Sequence, residues 1–80
     1  MNLRSHLGDV VSETRRNLRL SQEELAFEAG VHRTSVSHIE RGIKSPTVDT
    51  LSKIAFALAV APSDLLAQAE RRAKEKTKRR

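Results

Sequence analysis

Eighty residues with no cysteine and a formal net charge of +5 make one small domain that neither disulfides nor a thiolate zinc site can reinforce. Nothing in it approaches a signal segment or a membrane span, which predicts a soluble, cytoplasmic protein. At this length stability rests on close helix packing, or on a partner chain that buries more apolar surface.

In chain order, Leu7, Val11, Thr14 and Leu18 recur at helical spacing and predict a first helix of about three turns. Ser21 offers an N-cap with Glu24 three residues on, the pattern of a capping box. The second helix buries Leu25, Ala26 and Ala29 and stops at Gly30, which can take the left-handed conformation of a sharp reversal. A third helix from His32 to Glu40 turns Val36 and Ile39 inward and ends at Gly42. Its β-branched, hydroxyl-rich sequence has poor intrinsic propensity, so neighbouring helices must hold it. Lys44, Ser45 and Pro46 form a loop, and Thr47 caps a fourth helix with the stripe Leu51, Ile54, Ala55 and Leu58. Pro62 and Asp64 suit the first turn of a fifth helix carrying Leu65, Leu66 and Ala69.

There the apolar periodicity ends, and residues 70–80 read as a flexible basic tail. Through residue 69, eight basic residues balance eight acidic ones, so the whole excess charge belongs to the segment Glu70–Arg80. Net charge therefore says little about the folded part. With no strand pattern anywhere, the expected fold is all-α, a compact bundle of five short helices.

The functional signal is the run Ser21–Gly42. Its third helix sets Val36 and Ile39 behind and Arg33, Thr34, Ser37, His38 and Arg41 in front, a shape suited to a DNA major groove. Ser21-Gln22-Glu23-Glu24-Leu25-Ala26, Ala29-Gly30-Val31, Val36, Ile39-Glu40-Arg41-Gly42 and Pro46-Thr47 together resemble the Cro/C1-type (XRE) helix-turn-helix family of phage repressors and bacterial regulators. The likeness extends from Leu7 to Leu66. His32–Thr34 and Ile39–Gly42 also look like the small controller proteins of restriction–modification systems.

The resemblance implies a lambda-repressor-like domain over 1–69, with its helix-turn-helix at 21–41, that regulates transcription by binding double-stranded DNA. By the same resemblance Gln22 contacts a phosphate at the start of the second helix. Arg33, Thr34 and His38 correspond to base-reading positions, Arg33 foremost because a guanidinium can pair bidentately with guanine. Ser35 and Ser37 are small enough to approach the bases, and His32, Arg41, Lys44, Ser45 and Thr47 are phosphate candidates. Arg15 and Glu40 occupy the positions of a buried ion pair that orients the recognition helix, and so stay off the DNA-contact set. Two departures stand out. His32 replaces the usual small capping residue, and Ala61 stands where relatives often have Ser, so the fifth helix loses a cap.

Phe56, Val60, Leu65 and Leu66 form an apolar patch on the dimerisation helices 47–69, which gives so small a domain reason to pair with a second copy on a roughly palindromic operator. Edge-of-core packing is the competing reading for Phe56 and for Phe27, the only other aromatic. His6, His32 and His38 lack the spacing of a metal site, and no catalytic constellation accompanies Ser35 and His38. No metal, cofactor, small-molecule ligand or enzymatic activity is expected. The alternatives on the same scaffold are an antitoxin or other protein-interaction module, and an RNA-binding protein that uses mostly the tail.

Overall fold

Four of the helix starts carry a side-chain device that the sequence spells out locally. A computed structural model describes residues 2–78, with side chains through Glu75. Its helices are α1 (Leu3–Asn17), α2 (Gln22–Ala29), α3 (Arg33–Glu40), α4 (Val48–Ala57) and α5 (Pro62–Lys78), with no strand among the described residues. Ser21 and Glu24 close a full capping box on α2, the Ser21 hydroxyl accepting the Glu24 N–H (3.0 Å) and the Glu24 carboxylate accepting the Ser21 N–H (2.8 Å). Thr47 accepts the Thr50 N–H (3.1 Å) at the head of α4. Ala61 has no capping side chain, but the Asp64 carboxylate accepts the Ala61 N–H (3.2 Å) and supplies half of the box from the helix side. Asn2 caps the Ser5 N–H (3.1 Å), so α1 starts before Leu7 and is a turn longer than its apolar pattern implies.

The same two hydrogen bonds close the first four helices. The Leu20, Val31, Ile43 and Val60 amides reach back to the Arg15, Ala26, His38 and Ala55 carbonyls, and the residue before each donates to the carbonyl one residue further on. Each closure needs a left-handed residue. Gly30 and Gly42 adopt it at φ 72°, but Arg19 and Ala59 are held there at φ 61°. A side chain in that region costs about 1–2 kcal/mol. Ala59→Gly is therefore expected to raise stability by about 1 kcal/mol, seen as a melting temperature roughly 4–8 °C higher.

The core joins Leu7, Val10 and Val11 of α1, Leu25 of α2, Val36 and Ile39 of α3, Leu51, Ile54 and Ala55 of α4, Leu58 just beyond it, and Leu65 and Ala69 of α5. Leu18, counted in the α1 stripe from its spacing, is instead the exposed C-cap, and Val10 takes the buried place. The chain bends by 99° between α4 and α5, and no single helix is long and apolar enough to cross a membrane.

Two expectations are corrected here. The stretch from Glu70 does not leave the bundle as a flexible tail: α5 continues to Lys78, Ala73 is buried, and Arg72 pairs with Glu13 of α1. Leu65, Ala69 and Ala73 recur every fourth residue, and that stripe carries the helix along α1. The tail residues Arg79 and Arg80 lie outside the described residues. Phe27 is not edge-of-core either, nor is Phe56. Both rings stand in solvent, 86% and 83% exposed.

Candidate nucleic-acid interface

Helix α3 has little of its own to keep it helical. His32 at its N-cap makes no side-chain capping bond, and its residues are poor helix formers. Three contacts with the rest of the bundle hold it. Val36 and Ile39 are buried in the core. At its C-terminal end the Ile39 and Glu40 carbonyls lie against Gly8 of α1, where a Cβ would stand 2.7 Å from the Glu40 oxygen and closer still to that of Ile39. The third contact is the Glu40 carboxylate itself.

Glu40 is the hub of a buried network. Arg15 donates to both of its oxygens, Nε to Oε2 at 2.7 Å and Nη2 to Oε1 at 3.0 Å, a bidentate fork. Its third arm, Nη1, donates to the Leu20 carbonyl (2.7 Å) at the end of α1. The Gln22 amide adds a donor to Glu40 Oε1 at 3.0 Å, so α1, α2 and α3 meet at one carboxylate. The two charged side chains are only 11% and 4% exposed. Burial alone would push the Glu40 carboxyl up. The hydrogen bonds from Arg15 and Gln22, with the charges of Arg15 and Arg16, outweigh it and hold the group below its usual range. The Glu40 hydrogen bond likewise holds the Arg15 guanidinium above its ordinary value, against the opposing effect of burial.

Gly8 offers a test of this packing. At an exposed helical site, replacing glycine by alanine stabilises by about 1 kcal/mol. At Gly8 the new methyl meets backbone oxygens that cannot swing aside, and overpacking of this kind costs about 1–3 kcal/mol or more. Gly8→Ala is expected to lower stability by about 2 kcal/mol in chemical denaturation, and a gain would remove Gly8 from this account.

The outward side of α3 is polar and accessible. Arg33 and Thr34 are exposed, and Ser35, Ser37 and His38 are half-buried. Thr34, Ser35 and His38 line one groove with Lys44, Ser45 and Thr47, so base-reading and phosphate candidates come together there. Arg33 lines a separate depression with Ser21 and Gln22 at the head of α2. Arg41 is apart from both, in a groove on the α1 side of the molecule. His32 is exposed ahead of the helix. Gln22 commits one amide N–H to Glu40, a tie its spacing in the sequence did not reveal. Gly8 was likewise illegible, since a glycine inside a helical pattern carries no sign of what approaches it.

The apolar patch is altered by the fold. Leu65 is fully buried in the core and cannot present a surface to a second chain. Phe56 remains exposed, while Val60 and Leu66 are half-buried against the core, Leu66 in a shallow apolar groove with Leu3, Leu7 and Val48.

Two helices joined at a left-handed glycine, the second buried behind and hydrogen-bonding in front, define a helix-turn-helix DNA-binding regulator. The chain belongs to the helix-turn-helix family, whose model matches residues 11–65. The control protein C.BamHI of Bacillus amyloliquefaciens is 46% identical over 66 residues, spanning 81% of this chain and 82% of that protein. The HTH-type transcriptional regulator y4dJ of Sinorhizobium fredii is 36% identical across 82% of this chain and 86% of its own length. Among solved structures, the restriction-modification controller protein C.AhdI from Aeromonas hydrophila matches with a TM-score of 0.75 at 36% identity, covering 76% of this chain and 92% of that one. The protein is a DNA-binding transcriptional regulator.

Proposed function

We propose that the protein acts in the cytoplasm as a homodimer on a roughly palindromic operator, α3 of each copy entering successive major grooves about 34 Å apart. Arg33, Thr34 and His38 read bases with Ser35 and Ser37 close by, and Gln22, His32, Arg41, Lys44, Ser45 and Thr47 hold phosphates. Phe56, with Val60 and Leu66, contacts the second copy. The role is binding without catalysis, and the likeness to control proteins supports restriction–modification genes as its setting. One observation carries this reading. The outward face of α3 offers hydrogen-bonding side chains to solvent, while every means of holding the helix lies behind it.

Selection of duplexes from a random pool tests it, because a palindromic consensus with one helical turn between half-sites is expected. A pool that yields no consensus would remove the sequence-specific reading. On the selected site, Arg33→Ala is expected to cost about 1–3 kcal/mol and to relax preference at one base position. Titrations against singly substituted duplexes check this, and an equal loss on every sequence would make Arg33 a phosphate contact instead.

A further inference from the structure

We propose a DNA backbone phosphate site on the flank of the helix-turn-helix, in a groove where Arg16 of α1 and Arg72 of α5 stand beside Gln22 and Arg41. It rests on the DNA-binding reading and extends the contact surface to a helix that reading leaves unused.

The charges in this groove separate into spent and unspent ones. Glu40 is taken by Arg15 and Glu13 by Arg72. Among the described residues no carboxylate pairs with Arg16 or Arg41, and both are exposed. Asp9 is the remaining acid on the lining, so the groove is left with net positive charge and two guanidinium forks, the geometry that suits a phosphate. The Arg72–Glu13 pair is itself open to solvent, with Glu13 60% exposed. Pairs of this kind are weak, so Arg72 can exchange Glu13 for a stronger anion.

Two further features point the same way. The groove adjoins Gln22 in the first turn of α2, where Ser21 takes the Glu24 amide and leaves the Gln22 and Glu23 amides without intrahelical partners. Through residue 69 the charges cancel, so the long-range field of the molecule is set by the Glu70–Arg80 segment. Packing of α5 along α1, with Ala73 buried, brings the beginning of that segment to this groove. An acidic protein segment would meet the same cations. The duplex is favoured because Gln22 at the head of α2 borders this groove and also lines the depression that holds Arg33 of α3.

The test is the salt dependence of binding to the duplex selected by the wild-type protein, and to a scrambled duplex of equal length. Losing one phosphate contact removes about 0.9 from the slope of log K against log salt. Arg16→Ala and Arg72→Ala are each expected to lower the slope by about that amount and to weaken both duplexes about tenfold near 0.1 M salt. Arg71→Ala, exposed on the same helix but off the groove, makes the same charge change and is expected to leave the slope within error. Glu13→Gln, which frees Arg72, is expected to tighten binding about threefold, a gain that a damaged fold cannot produce. Unchanged slopes for Arg16→Ala and Arg72→Ala, or an equal drop for Arg71→Ala, overturn the site while leaving the DNA reading intact. A wild-type protein with no salt-dependent affinity for either duplex overturns both.

Discussion

Glu40→Ala is expected to cost the fold about 3–5 kcal/mol, the loss that follows when one member of a buried pair is removed. A domain of this size has about 4–12 kcal/mol in all, so the variant sits near its unfolding threshold at room temperature. The magnitude does not measure the strength of the ion pair. It reflects Arg15, 11% exposed, left with the Leu20 carbonyl as its only strong acceptor, and the Gln22 amide left without its partner. Arg15→Met combined with Glu40→Leu removes both charges and is expected to recover most of the loss. Urea denaturation of the three variants separates the effects, and a double variant as unstable as Glu40→Ala would contradict the stranded-charge account. The pH dependence follows from the direction of the shift. Because the Glu40 carboxyl is held below its ordinary value of 4.5, its contribution is complete above about pH 4.5 and fades as pH falls through the lower folded value. Glu40→Gln is expected to flatten that acid limb. The same network ties α3 to α1 and α2, so variants that stay folded should also bind DNA more weakly, through a looser recognition helix rather than a lost contact.

What could be read from the sequence was local. Ser21 with Glu24, Thr47, and Gly30 act within a few residues of themselves, so a cap or a left-handed turn is visible without knowing what packs nearby. The outward residues of α3 follow from helical spacing once Val36 and Ile39 are placed inside. What stayed hidden depends on pieces of chain that meet only after folding. Gly8 is small because α3 carbonyls press on it, Gln22 is half-buried because Glu40 is 18 positions away in sequence and 3.0 Å away in space, and α5 continues because α1 offers a surface to Ala73. The last of these did leave a trace. Leu65, Ala69 and Ala73 share one helix face, but two alanines beside seven lysines and arginines from Glu70 to Arg80 are a faint stripe against a loud charge pattern.

The same stripe decides a second prediction, on residues 65 and 66. Adjacent leucines on a helix point about 100° apart, so one of them can face the core while its neighbour reaches the rim. The fourfold spacing with Ala69 and Ala73 selects Leu65 for the interior, and it is fully buried. Leu65→Ala is therefore expected to cost about 2–5 kcal/mol, a transfer loss plus the cavity it leaves. That cost should be visible in monomeric protein and should not depend on protein concentration, because the lost contacts lie within one chain. Phe56→Ala is the opposite case. Its ring is 83% exposed, so truncation should move the unfolding free energy of the monomer by no more than about 0.5 kcal/mol. If Phe56 meets a second copy, that variant instead shifts the monomer–dimer balance, read by sedimentation across a dilution series, and makes the melting temperature less dependent on concentration. The two variants thus separate folding from assembly. A Leu65→Ala protein that melts normally yet fails to dimerise would return Leu65 to the interface, whereas an unaltered dimer in Phe56→Ala would leave the exposed ring without a partner in this assembly.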